Sequence, residues 1–393
     1  MKELNPPVRT LMGPGPSGVH PLVLKAMATP VIGHLDPGFI EIMNGTMELL
    51  REVFGTKNEL TMPMSGTGSA GMETLMVNLL EPGDKIVIGV HGLFGQRMVD
   101  VASRAGAEVI PVEAAWGTPL DPAAIEAALS RHKGVKAVAV VHAETSTGVR
   151  QPLKEIADIA HRFGALFLVD CVTSLGGIPV EIDKNEVDAA YSGTQKCLSV
   201  PPGLSPVTFN EKARRAFASR KTKVQSWYLD LNMIQNYWGA ERFYHHTAPV
   251  SMIYALHEGL RLIVEEGLEN VFARHAINGR ALWAGLEAMG LKLVVDEAYR
   301  LPELTTVYIP ENIPDAEVRR RLLEQYGLEI GGGLGEFKGK VWRIGLMGYT
   351  CQKKNVMLCL GALEDVLAQL GFKVEKGAGL AAATRVWDEA GSG

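Results

Sequence analysis

Ala165-Leu-Phe-Leu-Val-Asp170 is five apolar residues closed by a carboxylate, and its reading decides the fold. A strand with one face in water alternates apolar and polar side chains; this one does not, so it predicts a strand covered on both faces. Working outward, the same unbroken apolar character recurs at Lys85-Ile-Val-Ile-Gly-Val90 and Ala137-Val-Ala-Val-Val141, with a further strand expected at 107–112. Helical spacing of apolar residues falls between them, near 95–105, 121–131 and 152–163. Apolar strands joined by amphipathic helices predict an α/β fold around a mostly parallel sheet with helices on both faces. Upstream, Leu60-Thr-Met-Pro-Met64 reads as a strand, and Ser65-Gly-Thr-Gly-Ser-Ala-Gly71 opens a helix running to about Leu80.

Ligands of such sheets gather at the carboxyl ends of the strands. That rule selects residues 91–96, 142–148 and 170–174 and the loop around Lys196. Asp170 ends an apolar strand, where an unpaired carboxylate is costly, so it needs a partner: either it caps the following turn or it meets a ligand cation. Lys196 follows a short apolar approach and precedes Pro201, Pro202 and Gly203, which forbid a helix. It reads two ways, as a surface lysine near a turn or as a desolvated amine that loses its proton readily and suits a Schiff base. The small residues at 65–71 leave backbone N–H groups free at a helix start, a seat for phosphate. A dinucleotide would want an acidic residue after the next strand, yet Val90 runs into His91 and Gly92, so a single phosphate fits better. The stretch 11–18 also matches the spacing of a glycine-rich nucleotide loop, but its two prolines make it a rigid N-terminal arm. Lysine for an aldehyde, aspartate for a ring nitrogen and a phosphate seat together describe pyridoxal 5'-phosphate.

Composition narrows the class. The 393 residues, 47% hydrophobic and 21% charged with net charge −5, predict a globular protein with a large core and no nucleic-acid partner. Cys171, Cys197, Cys351 and Cys359 show neither paired nor metal-ligand spacing and read as reduced thiols. No run of 18 apolar residues occurs and no apolar leader opens the chain, so the expectation is a cytoplasmic protein without membrane attachment.

The sequence resembles the class V aminotransferases, pyridoxal-phosphate enzymes of fold type I, and within them the alanine-glyoxylate and serine-glyoxylate group. The motifs run in order from Gly13-Pro-Gly-Pro-Ser17 through Glu81-Pro-Gly-Asp84, Gly92-Leu-Phe-Gly-Gln-Arg97, Glu144-Thr-Ser-Thr-Gly148, Val169-Asp-Cys-Val-Thr-Ser-Leu-Gly-Gly177, Tyr191-Ser-Gly-Thr-Gln-Lys196 and Tyr244-His-His-Thr247 to Gly331-Gly-Gly-Leu-Gly335 and Trp342-Arg-Ile-Gly-Leu346. The resemblance implies an N-terminal arm (1–17), a large domain with a seven-stranded sheet (18–265) and a smaller α+β domain (266–393). It implies that Lys196 carries the cofactor and moves the proton, Asp170 pairs with the ring nitrogen, Val172 packs beneath the ring and Phe94 stacks on it. It further implies that Thr67, Gly68, Ser69 and Gln195 bind the phosphate, Ser69 departing from the histidine of some relatives, and that Thr145 meets the phenolic oxygen. Tyr244 and Thr247 resemble residues that reach the neighbouring subunit's phosphate, which implies a homodimer with shared sites. Arg343, on an apolar strand, needs an anion, and the resemblance makes that anion the substrate carboxylate.

The expected reaction is transfer of an amino group from alanine or serine to glyoxylate by a ping-pong route, on small amino-acid and 2-oxo-acid substrates. Ureidoglycine-type or aminophosphonate-type donors remain as alternatives, and so does a non-catalytic homologue. A cysteine desulfurase would need a mobile nucleophilic cysteine, for which Cys351 is the candidate. His34 and Asp36 either contact a ligand or shape their turn, and the tail 376–393, rich in Gly and Ala, is expected to contribute little.

Overall fold

The computed structural model describes residues 3–391. Its centre is a seven-stranded sheet, whose strands we number β1 (Leu60–Ser65), β2 (Lys85–Val90), β3 (Glu108–Glu113), β4 (Val135–Val141), β5 (Leu166–Asp170), β6 (Ala189–Tyr191) and β7 (Leu204–Phe209), in the spatial order β1-β7-β6-β5-β4-β2-β3. Every pairing is parallel except those of β7, which runs antiparallel to both its neighbours. β5 is buried along its whole length. Each of its large apolar side chains contributes roughly 1.5–3 kcal/mol relative to exposure, which is why the unbroken apolar run folds here.

Register sets up the site. Val141 at the end of β4 lies beside Asp170, and Asp170 lies beside Tyr191 at the end of β6, so three carboxyl ends form one rim. The helix Gly68–Leu79 crosses the sheet tightly: a Cβ at Gly71 would fall 2.1 Å from Ser205 Oγ, a close approach that only glycine permits. The helix expected near 95–105 begins earlier, at Leu93, because side chains of the 144–146 loop satisfy its first amides.

Two large hydrophobic clusters divide the interior, with a small third one of Ala143, Ile178, Cys197, Leu301, Leu304 and Met347. One spans Val23 to Val271 around the central sheet; the other joins Met12 to residues 281–383, around the antiparallel strands Leu304–Tyr308 and Val341–Gly345. The N-terminal arm ties them together. Thr10–Leu11 pairs with Leu328–Glu329, Gly345 N donates to Met12 O, and Ser17 N donates to Gln195 O.

One expectation is corrected. The tail is not idle, because Ala378–Gly391 is a helix laid against Leu268–Ala288. Its small residues allow that: a Cβ on Gly285 would stand 2.4 Å from Leu360 Cδ1 and 3.0 Å from the Gly379 carbonyl. Trp387 Nε1 then donates to Asn278 Oδ1 at 3.0 Å. Residues 392 and 393 lie outside the described residues. Among those described, no helix is long and apolar enough to cross a membrane.

Candidate active site

The carboxyl ends of the strands open into a cavity of about 200 Å³. Thr67, Gly68, Ser69, Phe94, Thr145, Asp170, Val172, Gln195 and Lys196 all line it. Lys196 stands on a turn closed by Ser199 N donating to Lys196 O and Val200 N donating to Thr194 O. The arm lies over this turn. Ser17 Oγ donates to Lys196 O at 2.7 Å, and Lys196 Nζ donates to the carbonyl of Pro14. Gly15, at φ +109°, is needed there, since a Cβ would come within 2.6 Å of Nζ.

Lys196 is 8% exposed. Burial, helped by the positive charge of Arg343, lowers its pKa to about 8. Asp170 is placed oppositely: burial raises its carboxyl to about 6, although Oδ2 accepts from Tyr191 Oη at 2.5 Å and Oδ1 from Val172 N at 2.8 Å. Thr67 is the N-cap of the helix Gly68–Leu79 but makes no side-chain cap bond, so its first turn faces the cavity uncapped. Gln195 Oε1 is buried without a partner.

Arg343 is buried beside the cavity, donating Nε to Gly332 O at 2.8 Å and Nη1 to Thr145 O at 3.1 Å. Among the described residues it makes no ion pair, and burial brings its pKa down to about 10 against a smaller upward pull from the Glu144 carboxylate. A guanidinium so held has N–H groups left for an anion. Tyr244 and Thr247 are not brought to this cavity; both are exposed, on a segment tied to the sheet by His246 Nε2 and Ser65 Oγ at 2.9 Å. Asp36 shapes its turn, capping the helix Pro37–Phe54 by accepting from Gly38 N, while the His34 carbonyl accepts from Tyr237 Oη. Cys351 is fully buried, and burial pushes its thiol up to about 12, the opposite of a mobile nucleophile.

Sequence reasoning missed Tyr191, Arg97 and Glu144. Tyr191 and Arg97 line the cavity, the Arg97 guanidinium carbon 4.9 Å from the Phe94 ring centre. Glu144 was findable: it is a carboxylate three residues past the end of β4, inside the stretch 142–148 that the carboxyl-end rule selects.

The arrangement is an amine that can lose its proton, a buried carboxyl at the end of a strand, and an anion seat. Residues 24–353 match the family model for aminotransferase class-V. The chain belongs to the class-V aminotransferases. The aminotransferase is 44% identical to the (S)-ureidoglycine–glyoxylate transaminase of Bacillus subtilis, over 99% of this chain and 98% of that one. It superimposes on the crystal structure of that enzyme with a TM-score of 0.96, at 46% identity, covering 98% and 100% of the two chains. It is 42% identical to the alanine–glyoxylate aminotransferase of Callithrix jacchus, over 93% of this chain and 89% of that one. The crystal structure of the alanine–glyoxylate aminotransferase from Nostoc sp. matches at TM-score 0.92 and 50% identity, over 93% and 97%. The aminotransferase is thus a pyridoxal-phosphate-dependent transaminase of fold type I.

The residues present fit that cofactor. The uncapped start of the Gly68–Leu79 helix, with free backbone N–H groups for a phosphate, and the buried carboxyl of Asp170, which a ring N–H can meet, line the same cavity as Lys196.

Proposed function

We propose that this aminotransferase moves the amino group of a small amino acid, alanine or serine, to glyoxylate by a ping-pong route. The observation that carries the reading is Arg343: a buried guanidinium, anchored on two carbonyls and lacking a carboxylate, close enough to Lys196 to weaken that amine's hold on its proton. Its remaining N–H groups match the carboxylate shared by amino acids and 2-oxo acids. Glyoxylate as acceptor is supported by the two named relatives, both glyoxylate transaminases. The arm crossing directly over Lys196 at Gly15 supports a small side chain.

When bound, the cofactor supplies an aldehyde for the amino group and a ring that draws electrons from the substrate Cα. Lys196, neutral above about pH 8, takes the proton from Cα and returns it on the other side of the exchange. Asp170 holds the proton on the ring nitrogen. Phe94 and Val172 enclose the ring, Thr145 meets its phenolic oxygen, and Thr67, Gly68, Ser69 and Gln195 hold the phosphate. Tyr244 and Thr247 complete the phosphate site of a second copy, so the active form is a homodimer, and the exposed Trp227, Phe243 and Tyr244 support an interface there. The arm, the large domain to residue 265 and the small domain beyond it act as the working units. We place the enzyme in the cytoplasm.

A second reading has its own support. The likeness to the ureidoglycine enzyme favours ureidoglycine as donor within the same reaction. Glycine formation from glyoxylate, measured with alanine, serine and ureidoglycine as donors and with pyruvate as the competing acceptor, decides between them. No glycine from any donor removes the glyoxylate assignment.

A further inference from the structure

Glu144 is fully buried yet does not line the cavity. Its two carboxylate oxygens accept four hydrogen bonds. Oε1 accepts from Ser146 N at 3.0 Å and Ser146 Oγ at 2.6 Å. Oε2 accepts from Phe94 N at 3.1 Å and Gly95 N at 3.3 Å. Ser146 Oγ in turn accepts from Leu93 N at 2.9 Å. The loop after β4 is therefore fastened to the first turn of the helix Leu93–Arg104, whose N-terminal dipole favours the carboxylate. Gly92 makes room for it, since a Cβ there would lie 2.4 Å from Glu144 Cγ.

The fastening joins two walls of the cavity. Thr145 sits between the two residues that make it, and Phe94 stands on the helix turn that receives it. Thr145 O also accepts from Arg343, so the same loop bears on the substrate arginine.

We propose that Glu144 is a positioning residue: its carboxylate fixes the spacing between Phe94 and Thr145, and thereby the plane in which the cofactor ring is held. This rests on the placement of the ring against Phe94 given above. The charge matters as well as the shape, because every partner is a donor, and an amide would turn an NH₂ group against one pair of them.

The test compares Glu144→Gln, Glu144→Ala and Ser146→Ala with the parent, and with Phe94→Ala as control. Cofactor Kd is measured on the apoprotein, the circular dichroism of the visible cofactor band on the loaded protein, and amide exchange at 93–95 on the apoprotein. Glu144→Gln is expected to raise cofactor Kd about tenfold, the worth of one charge-assisted hydrogen bond, with Glu144→Ala losing more and Ser146→Ala less. The dichroic band weakens in the same order, and exchange at 93–95 quickens. If Glu144→Ala does not fold, the other two variants carry the test. Variants that melt earlier but, when folded, keep parental Kd and dichroism overturn the proposal, because a merely structural role does just that. A Phe94→Ala protein indistinguishable from the parent overturns the ring placement and the proposal with it.

Discussion

Arg343 Nη1 donates to the carbonyl oxygen of Thr145 at 3.1 Å, joining residues 198 positions apart. The strand that carries Arg343 is therefore bonded to the loop of Thr145 that lines the cavity, so the proposed substrate and cofactor contacts share one support. The arginine keeps donors in reserve because its anchors are carbonyls, which occupy part of its fork without forming an ion pair.

Replacing Arg343 with alanine removes the carboxylate's two charge-assisted bonds, a loss of about 3 kcal/mol, or roughly 100-fold in KM for donor and acceptor alike. Cofactor Kd, measured by titration of the apoprotein, should change far less. Equal losses in both would remove the substrate role of Arg343.

The depressed pKa of Lys196 has a sign that can be checked. Its folded value, about 8, lies below its ordinary value of 10.5, so between these pH values the unfolded chain holds the extra proton and the apoprotein gains stability as pH rises. Below pH 8 both states are protonated and the burial penalty is fully present. On the role proposed for Lys196 the neutral amine is the nucleophile, so the rate at which apoprotein captures the cofactor should climb with pH and level off above about 8. A rate that is flat from pH 6 to 9 contradicts the assignment.

On its proposed role, Asp170 loses its function, not its place, on substitution by asparagine. The side chain can still accept from Val172 N, yet it no longer compensates a charged ring. Removal of one such electrostatic partner costs about 10²–10³-fold in kcat. The visible band of the bound cofactor should also move, and an unchanged kcat would place the ring nitrogen elsewhere.

Much of this was legible in the sequence, and the reason is locality. The unbroken apolar runs of β2, β4 and β5 are properties of a few consecutive residues, so the parallel sheet could be read directly, and its carboxyl-end rule then singled out Asp170 and the Lys196 loop. What was not legible depends on distant partners. Nothing near Pro14 indicates that its carbonyl meets Lys196, and nothing near Glu144 indicates that it receives the amides of residues 94 and 95. The role of the tail is not legible because Gly and Ala alone do not distinguish a passive segment from a helix whose small residues let it approach another closely.

That helix contact yields a stability prediction. Gly285 faces Leu360 and the Gly379 carbonyl with no room for a side chain. Gly285→Val should destabilise the protein by about 1–3 kcal/mol through overpacking, seen as a lower denaturation midpoint, while leaving the KM of the folded enzyme near parental. A midpoint equal to the parent's would mean that Ala378–Gly391 does not pack there.

The central claim is that Lys196 is the amine that carries the cofactor. Borohydride reduction of the loaded protein, followed by peptide mass mapping, tests it most directly. The cofactor's mass should be found on the peptide containing Lys196 and be lost in Lys196→Ala together with glycine formation from glyoxylate. Labelling of a different lysine, or full turnover by Lys196→Ala, would contradict the account.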